Sequence, residues 1–434
     1  MPYRVGFCSL GCKVSQYETE ALAERFAAEG FVVSDFDAVC DVYVVNTCAV
    51  TAESDRKSRQ MIRRAVRENP EAIVIVTGCS SQLHPDGIAA IRGVSYVSGN
   101  DRKMHLPEVA LDLLARPRET AKVAVRDLAG VPFESASITR APRTRAFLKI
   151  EDGCNCRCAY CAIPLARGPV RSKKPDDVIR EVAGLVASGT REIVLTGIET
   201  AAYGIDLDGY RLVDLISDLA KKTDVERIRL SSLSPEMMTP ATIARLSAIK
   251  KLAPHFHLSL QSGSDAVLAA MRRPYRTAQV REALSALRRS ISGVTFTTDV
   301  IVGFPGESEE NFSETVAFCR EARFLRLHVF PYSPRPGTPA ASFSDQIPGA
   351  EKHRRVRELV KCGRDVAREL LSDLIGAKTP LSVVFETRDG EYLTGHSENY
   401  IEVRVKTERD LAGQIRRVLP TALSGDGVIG EITE

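Results

Sequence analysis

The chain has 434 residues, and 59 basic against 56 acidic side chains leave a formal net charge of +3. Its 44% apolar and 26% charged residues exclude global disorder, and no apolar run approaches the roughly 20 residues that a membrane helix needs. Near-neutral charge excludes a histone-like coating of nucleic acid, and the length predicts roughly two to four domains.

The compositional outlier is eleven cysteines beside no tryptophan. The start, Met1-Pro2-Tyr3-Arg4, lacks the charged-then-apolar layout of a signal peptide, which predicts a cytoplasmic protein. In a reducing compartment these thiols are buried residues or metal ligands, not a disulfide framework.

In chain order, residues 4–10, 42–46 and 73–77 read as strands, with helices at 17–29 and 51–68 between them. That rhythm implies a parallel sheet covered by helices, in a domain spanning 1–126. Residues 127–145 have no clear period and form a predicted linker. Six further strands follow at 147–150, 192–196, 227–230, 256–260, 294–302 and 326–331, with helices at 175–188, 212–222 and 277–290. Six consecutive βα units predict an open (βα)6 partial TIM barrel, in a domain spanning 140–371. A long amphipathic helix over 351–375 is expected to stop at Gly376 as its C-terminal cap. Beyond it, in a domain spanning 372–434, short strands at 381–385, 391–395 and 400–405 predict a small antiparallel β-barrel of the oligonucleotide-binding type. The fold class is therefore α/β with a C-terminal β-barrel.

The strongest local motif runs from Cys154 to Cys161 and contains C-x3-C-x2-C at Cys154, Cys158 and Cys161. Random placement of the cysteines would give such a triple about 0.007 times per chain. Clustered thiolates suit zinc or iron–sulfur. The triple follows the first barrel strand and so sits at the mouth where barrel active sites are built. Cys156, inside the x3 loop, could supply a fourth thiolate, but it would crowd Cys154 and Cys158, so three ligands are the favoured reading. Cys12, Cys48 and Cys79 each lie two residues beyond an N-terminal strand. Parallel strands bring their C-terminal ends to one edge, so these three thiols converge on a second site. Cys8, Cys40, Cys319 and Cys362 fall within apolar patterns and read as core.

These residues resemble those of radical S-adenosylmethionine (SAM) enzymes, with Tyr160 at the family's adenine-side position. Gly11-Cys12-Lys13-Val14-Ser15-Gln16-Tyr17-Glu18, Asn46-Thr47-Cys48-Ala49-Val50-Thr51 and Thr77-Gly78-Cys79 resemble the amino-terminal domain of methylthiotransferases, and the C-terminal barrel resembles their TRAM domain. Gly11 to Val14, Asp55 to Gln60 and His257 to Asp265 are most similar to the branch acting on N6-threonylcarbamoyladenosine at position 37 of tRNA. Ser15, where that branch usually has asparagine, Thr200-Ala201-Ala202 and Cys156 depart from its pattern.

The resemblance implies a sulfur-group transferase with two [4Fe-4S] clusters and S-adenosyl-L-methionine. Cys154, Cys158 and Cys161 would hold one cluster, and Cys12, Cys48 and Cys79 the other. The implied partners are the tRNA anticodon stem-loop and a reductant such as flavodoxin or ferredoxin, with neither membrane nor DNA. Alternatives are isopentenyladenosine or a ribosomal-protein aspartate as substrate and, in another class, a zinc-stabilised RNA-binding protein without catalysis.

Glu199, in Gly197-Ile198-Glu199 after the second barrel strand, is the expected acceptor for the cofactor's ammonium. Gly303 and Glu307, after the fifth strand, are expected to let backbone approach the cofactor closely. His255 and His257 alternate on one strand face and, lacking a third ligand at spacing, read as barrel lining. Residues 143–174 carry eight basic and two acidic side chains, and Arg56, Arg59, Arg63 and Arg67 form a stripe after Cys48 suited to phosphates. Residues 372–434 carry seven basic against eleven acidic, which weakens electrostatic RNA binding by the barrel as a whole. Arg404, Lys406, Arg409, Arg416 and Arg417 could still form one basic face, and shape and stacking by Tyr392 or Tyr400 could add to it.

Overall fold

The structure, a computed structural model, describes residues 1–116, 120–141 and 143–433. Among these, six parallel strands form an N-terminal sheet: β1 (Arg4–Ser9), β2 (Val32–Ser34), β3 (Val42–Thr47), β4 (Ile73–Gly78), β5 (Tyr96–Ser98) and β6 (Lys122–Ala124). Their order is β2-β1-β3-β4-β5-β6. β3 and β4 are β-branched runs buried at every residue, as strands covered on both faces must be. Leu22, Phe26 and Leu106 cover one face, and Ile62, Ala65 and Ile88 the other. The three strands absent from the sequence reading, β2, β5 and β6, have three residues each, too few to show a period. Strand order reverses at β1, so a crevice opens beyond the ends of β1 and β3.

The expected linker has no helix or strand among its described residues before Arg145, where β7 begins, but is tied down on both sides. Tyr17 Oη donates to Ala136 O at 2.7 Å, and Ile138 N donates to Glu181 Oε1 at 2.9 Å. Next come β7 (Arg145–Lys149), the short antiparallel pair β8 (Glu151–Asp152) and β9 (Arg171–Ser172), and β10 (Glu192–Thr196). β11 (Arg227–Leu230) and β12 (Ser232–Leu233) form one strand line interrupted at Ser231. β13 (His255–Gln261), β14 (Thr295–Val302) and β15 (Arg326–Pro331) complete an open parallel arc of six positions.

The long helix spans Gly349–Gly376, and the left-handed residue that ends it is Lys378 (φ 49°), not Gly376. β16 (Leu381–Asp389), β17 (Tyr392–Ser397), β18 (Glu402–Lys406), β19 (Ile415–Ser424) and β20 (Gly427–Ile432) close a barrel in the order β16-β17-β18-β20-β19. One seam differs from the expected antiparallel pattern, because β18 and β20 run parallel.

Candidate iron–sulfur and substrate site

Cys12 caps the helix Lys13–Ala28, Cys48 follows β3 and Cys79 opens the helix Cys79–Leu83 after β4. The topology thus brings all three to the crevice edge. Burial pushes the Cys48 thiol up, and Cys79 and Cys12 stand close enough to add to that rise. Ser58 Oγ accepts from Cys48 N at 3.2 Å and fixes the turn.

Cys79 Sγ accepts from Arg167 Nε at 3.2 Å and faces Asn100 Nδ2 at 3.7 Å. Behind it lies a buried charge network. Glu18 accepts from Lys149 at 2.7 Å and Arg167 at 2.6 Å and pairs with Lys103, while Asp152 accepts from Lys149 at 2.6 Å and pairs with Arg167 and Arg171 at 3.3 Å. Burial opposes ionisation of Glu18, but Arg167, Lys103 and Lys149 hold its pKa well below the ordinary carboxylate value. The buried Arg167 guanidinium, whose Nε points at Cys79 Sγ, suits an anionic thiolate-ligated cluster, so the residues fit the implied group.

The second thiol set sits on the loop after β8. Gly153 turns the chain at φ +90°, where a Cβ would lie 2.0 Å from Pro169 O. Cys154 N then donates to Gly168 O at 3.0 Å, and Ala159 is held by Met271 O at 3.0 Å and Ala340 N at 2.8 Å. Cys158 Sγ accepts from Arg273 Nη1 at 3.1 Å, and Arg273 is itself held by Tyr275 Oη at 2.8 Å. The Cys156 thiol lies against both Cys154 and Cys158, and its hydrogen bond to Cys154 is the largest reason its pKa is pushed up to about 12. Burial raises Cys161 to about 11. Thiols that stay protonated in the bare site must shed their protons to solvent as they bind a metal. The cationic Arg273 beside Cys158 favours that release.

A cavity of about 370 Å³ joins the two sets. Cys12 and Val50 line it from the N-terminal sheet, and Tyr160, Cys161, Gln261 and Asp299 from the central barrel. Glu199 is half-buried, leaves Oε1 without a partner and has its pKa raised to about 7 by burial, against the opposing pull of Arg273. Its N–H donates to Glu151 Oε2 at 2.9 Å, which Gly197 permits because a Cβ there would meet that oxygen at 2.5 Å.

Gly303 and Glu307 are placed otherwise than expected. The Glu307 carboxylate, 2% exposed, accepts from Gly303 N and from Arg355 Nη1 at 2.6 Å, so it staples its loop to the long helix. A Cβ on Gly303 would meet Lys352 of that helix at 2.4 Å.

The structure also supplies what spacing did not show around the two histidines. Asp299 and His328, from β14 and β15, offer ligand atoms within 4.8 Å of one another and of His257. Asp299 and His328 lie 42 and 71 residues beyond His257, on neighbouring strands, and so left no periodic signal. Tyr400 is not available for base stacking: it stacks on His255 at 4.5 Å and His396 at 5.0 Å, closing the bottom of the barrel. Arg56, Arg63 and Arg67 are exposed along their helix, while Arg59 is half-buried and donates to Gly87 O at 3.1 Å.

A cysteine triple at the mouth of an open parallel barrel is the layout of the radical SAM superfamily, whose model matches residues 148–319. "Uncharacterized protein family UPF0004" matches residues 4–99. The threonylcarbamoyladenosine tRNA methylthiotransferase MtaB of Bacillus subtilis (strain 168) is 41% identical, over 95% of this chain and 93% of its own length. That of Thermotoga maritima is 35% identical, over 97% and 95%. A tRNA-2-methylthio-N(6)-dimethylallyladenosine synthase of Carboxydothermus hydrogenoformans is 31% identical, over 94% of each chain. Among solved structures, the radical SAM methyltransferase TsrM of Kitasatospora setae, with cobalamin and a [4Fe-4S] cluster, shares the fold at TM-score 0.59 and 16% identity, over 79% of this chain and 74% of that one. The chain belongs to the radical SAM methylthiotransferase family.

Proposed function

We infer that this protein is a tRNA methylthiotransferase that converts N6-threonylcarbamoyladenosine at position 37 to its 2-methylthio derivative. The observation that carries the reading is the single cavity walled by Cys12 of one thiol set and Cys161 of the other. When bound, two [4Fe-4S] clusters and S-adenosyl-L-methionine would supply the radical that removes hydrogen from adenine C2, and the sulfur and methyl group that replace it. The protein's own tasks are binding and exclusion of water. Cys154, Cys158 and Cys161 would hold the cofactor's cluster and Cys12, Cys48 and Cys79 the second. Glu199, with its free oxygen, would accept from the cofactor's ammonium, and Tyr160 would pack on its adenine. Ala49, Ile163 and Phe330 keep the cavity wall apolar. Arg56, Arg63 and Arg67, exposed on the helix Ala52–Glu68 that follows Cys48, would follow the RNA backbone.

No helix among the described residues is long and apolar enough to cross a membrane. The proposed compartment is the cytoplasm and the proposed electron donor a flavodoxin or ferredoxin, as for a tRNA-modifying iron–sulfur enzyme. The test is anaerobic incubation of iron- and sulfide-loaded protein with reductant, S-adenosyl-L-methionine and an anticodon stem-loop carrying threonylcarbamoyladenosine. Mass spectrometry of the nucleosides should find the 2-methylthio derivative, with about eight irons per chain. An unchanged nucleoside at full iron content refutes the reading. Stoichiometric zinc without labile sulfide would instead support a binding module.

A further inference from the structure

Below the cluster cavity the barrel lumen holds a second chamber of about 250 Å³ that the chemistry above leaves unused. Its wall is polar. His255 and His257 come from β13, Thr297 and Asp299 from β14, His328 from β15, and Lys13 from the N-terminal helix. Thr297 Oγ1 bridges the first two imidazoles at 3.0 and 2.9 Å, and His257 Nε2 lies 3.1 Å from Asp299. Arg145 and Arg229 also reach the chamber, each already paired, with Glu386 at 3.1 Å and Glu192 at 2.6 Å.

Two groups are left without partners. The half-buried Lys13 ammonium makes no hydrogen bond or ion pair among the described residues, although its charge is felt by His255, Asp299 and His328. His255 is 3% exposed and leaves Nδ1 unsatisfied. A buried polar group without a partner costs stability unless a ligand completes it. Histidine–aspartate–histidine geometry alone would suit a divalent cation. The unpaired lysine facing the same space opposes a cation and favours an anion.

The chamber's position says which anion. Asp299 and Phe330 line both this chamber and the cluster cavity, so the two are neighbours. C2 and N6 of adenine flank N1 on one edge of the base. A base whose C2 faces the thiol sets can then extend its N6 substituent toward the lumen. We propose that this chamber is the specificity pocket for the N6 substituent: Lys13 pairs with the carboxylate of its amino-acid end, and Asp299 accepts from its urea N–H or hydroxyl. The assignment rests on the function proposed above and deepens it.

The experiment compares anticodon stem-loops that carry threonylcarbamoyladenosine, its neutral carboxamide, or plain adenosine. Binding to anaerobically loaded enzyme is read by fluorescence anisotropy, with iron content measured in parallel. The native enzyme should prefer the carboxylate RNA over the other two by about tenfold to a hundredfold, the range for a hydrogen bond to a charged group. Lys13→Met should erase that preference, and Lys13→Arg should restore part of it. Asp299→Asn, further from Cys12, should lower the preference at native iron content and keeps the test decisive if Lys13→Met loads poorly. Native preference in both Lys13→Met and Asp299→Asn overturns the pocket. Stoichiometric non-cluster metal lost on His328→Gln also overturns it, in favour of a cation site. If the native enzyme methylthiolates the carboxylate RNA yet binds all three equally, the pocket alone fails. If it modifies none, the function proposed above fails first.

Discussion

Glu192 offers a prediction whose size follows from the structure. It begins β10, is fully buried, and accepts from Arg229 at 2.6 Å and Arg227 at 3.1 Å, with Arg145 at 4.0 Å. Each arginine continues into the C-terminal barrel: Arg227 to Ser382, Arg229 to the carbonyls of Ser397 and Glu398, and Arg145 to Glu386. One carboxylate therefore anchors three cations that clamp two domains. Burial opposes its charge, but the arginines lower its pKa from 4.5 to about 2. The same burial lowers the pKa of Arg227, because one carboxylate divides its field among three guanidinium groups. A shift of that size corresponds to about 3 kcal/mol, which matches the cost of leaving buried cations without their partner. Glu192→Gln should thus lose about 3 kcal/mol in urea unfolding at pH 7. Because the folded pKa is depressed, the carboxylate's contribution is fully present above 4.5 and is lost as pH falls through about 2. The gap between native and Glu192→Gln protein should therefore narrow across that window, and limited proteolysis should release the C-terminal barrel from the variant first. A gap below about 1 kcal/mol at pH 7, or one constant down to pH 2, refutes the reasoning.

Two further substitutions probe the cluster loop. Gly153→Ala forces a Cβ to 2.0 Å from Pro169 O at φ +90°, so it should cost several kcal/mol and lower iron loading; an unchanged thermal midpoint with native iron content would show that the turn relaxes freely. Cys156→Ser should keep about eight irons per chain, since its thiol fills space between Cys154 and Cys158 without extending the ligand set; loss of about four irons would make Cys156 a ligand.

The sequence displayed what is written locally. β10 and β15 fall on their expected residues because each is a short, largely apolar run bounded by turns, and β11 because Arg227-Ile228-Arg229-Leu230 alternates with period two. The two thiol sets were legible for different reasons. One is contiguous, and the other follows from the rule that parallel strands end at one edge. What was hidden depends on distant partners. Glu307 looked like a cofactor contact because a glycine-rich turn at the barrel mouth is ambiguous until Arg355, 48 residues on, is seen to take its carboxylate. Tyr400 looked like a stacking platform, and only domain docking turns it onto His255. The lumen histidines lacked a third partner in sequence because β14 and β15 supply it across the sheet.

The same long-range logic sets how the two thiol sets face each other. Arg167 ends the short helix Ile163–Arg167 that begins just after Cys161, and its guanidinium touches Cys79 of the other set. It also binds Glu18, one turn into the helix that Cys12 caps. The loop that presents one site therefore supplies a wall of the other, through a side chain that is fully buried. With Lys149 and Lys103 on the same carboxylate, the two sheets are joined by charge rather than by apolar packing alone. Buried charge of this kind adds little net stability but penalises any register that separates the partners. The geometry of the shared cavity is therefore set by Arg167, Glu18 and Asp152 together, with Arg167 and Glu18 drawing on partners from both sides.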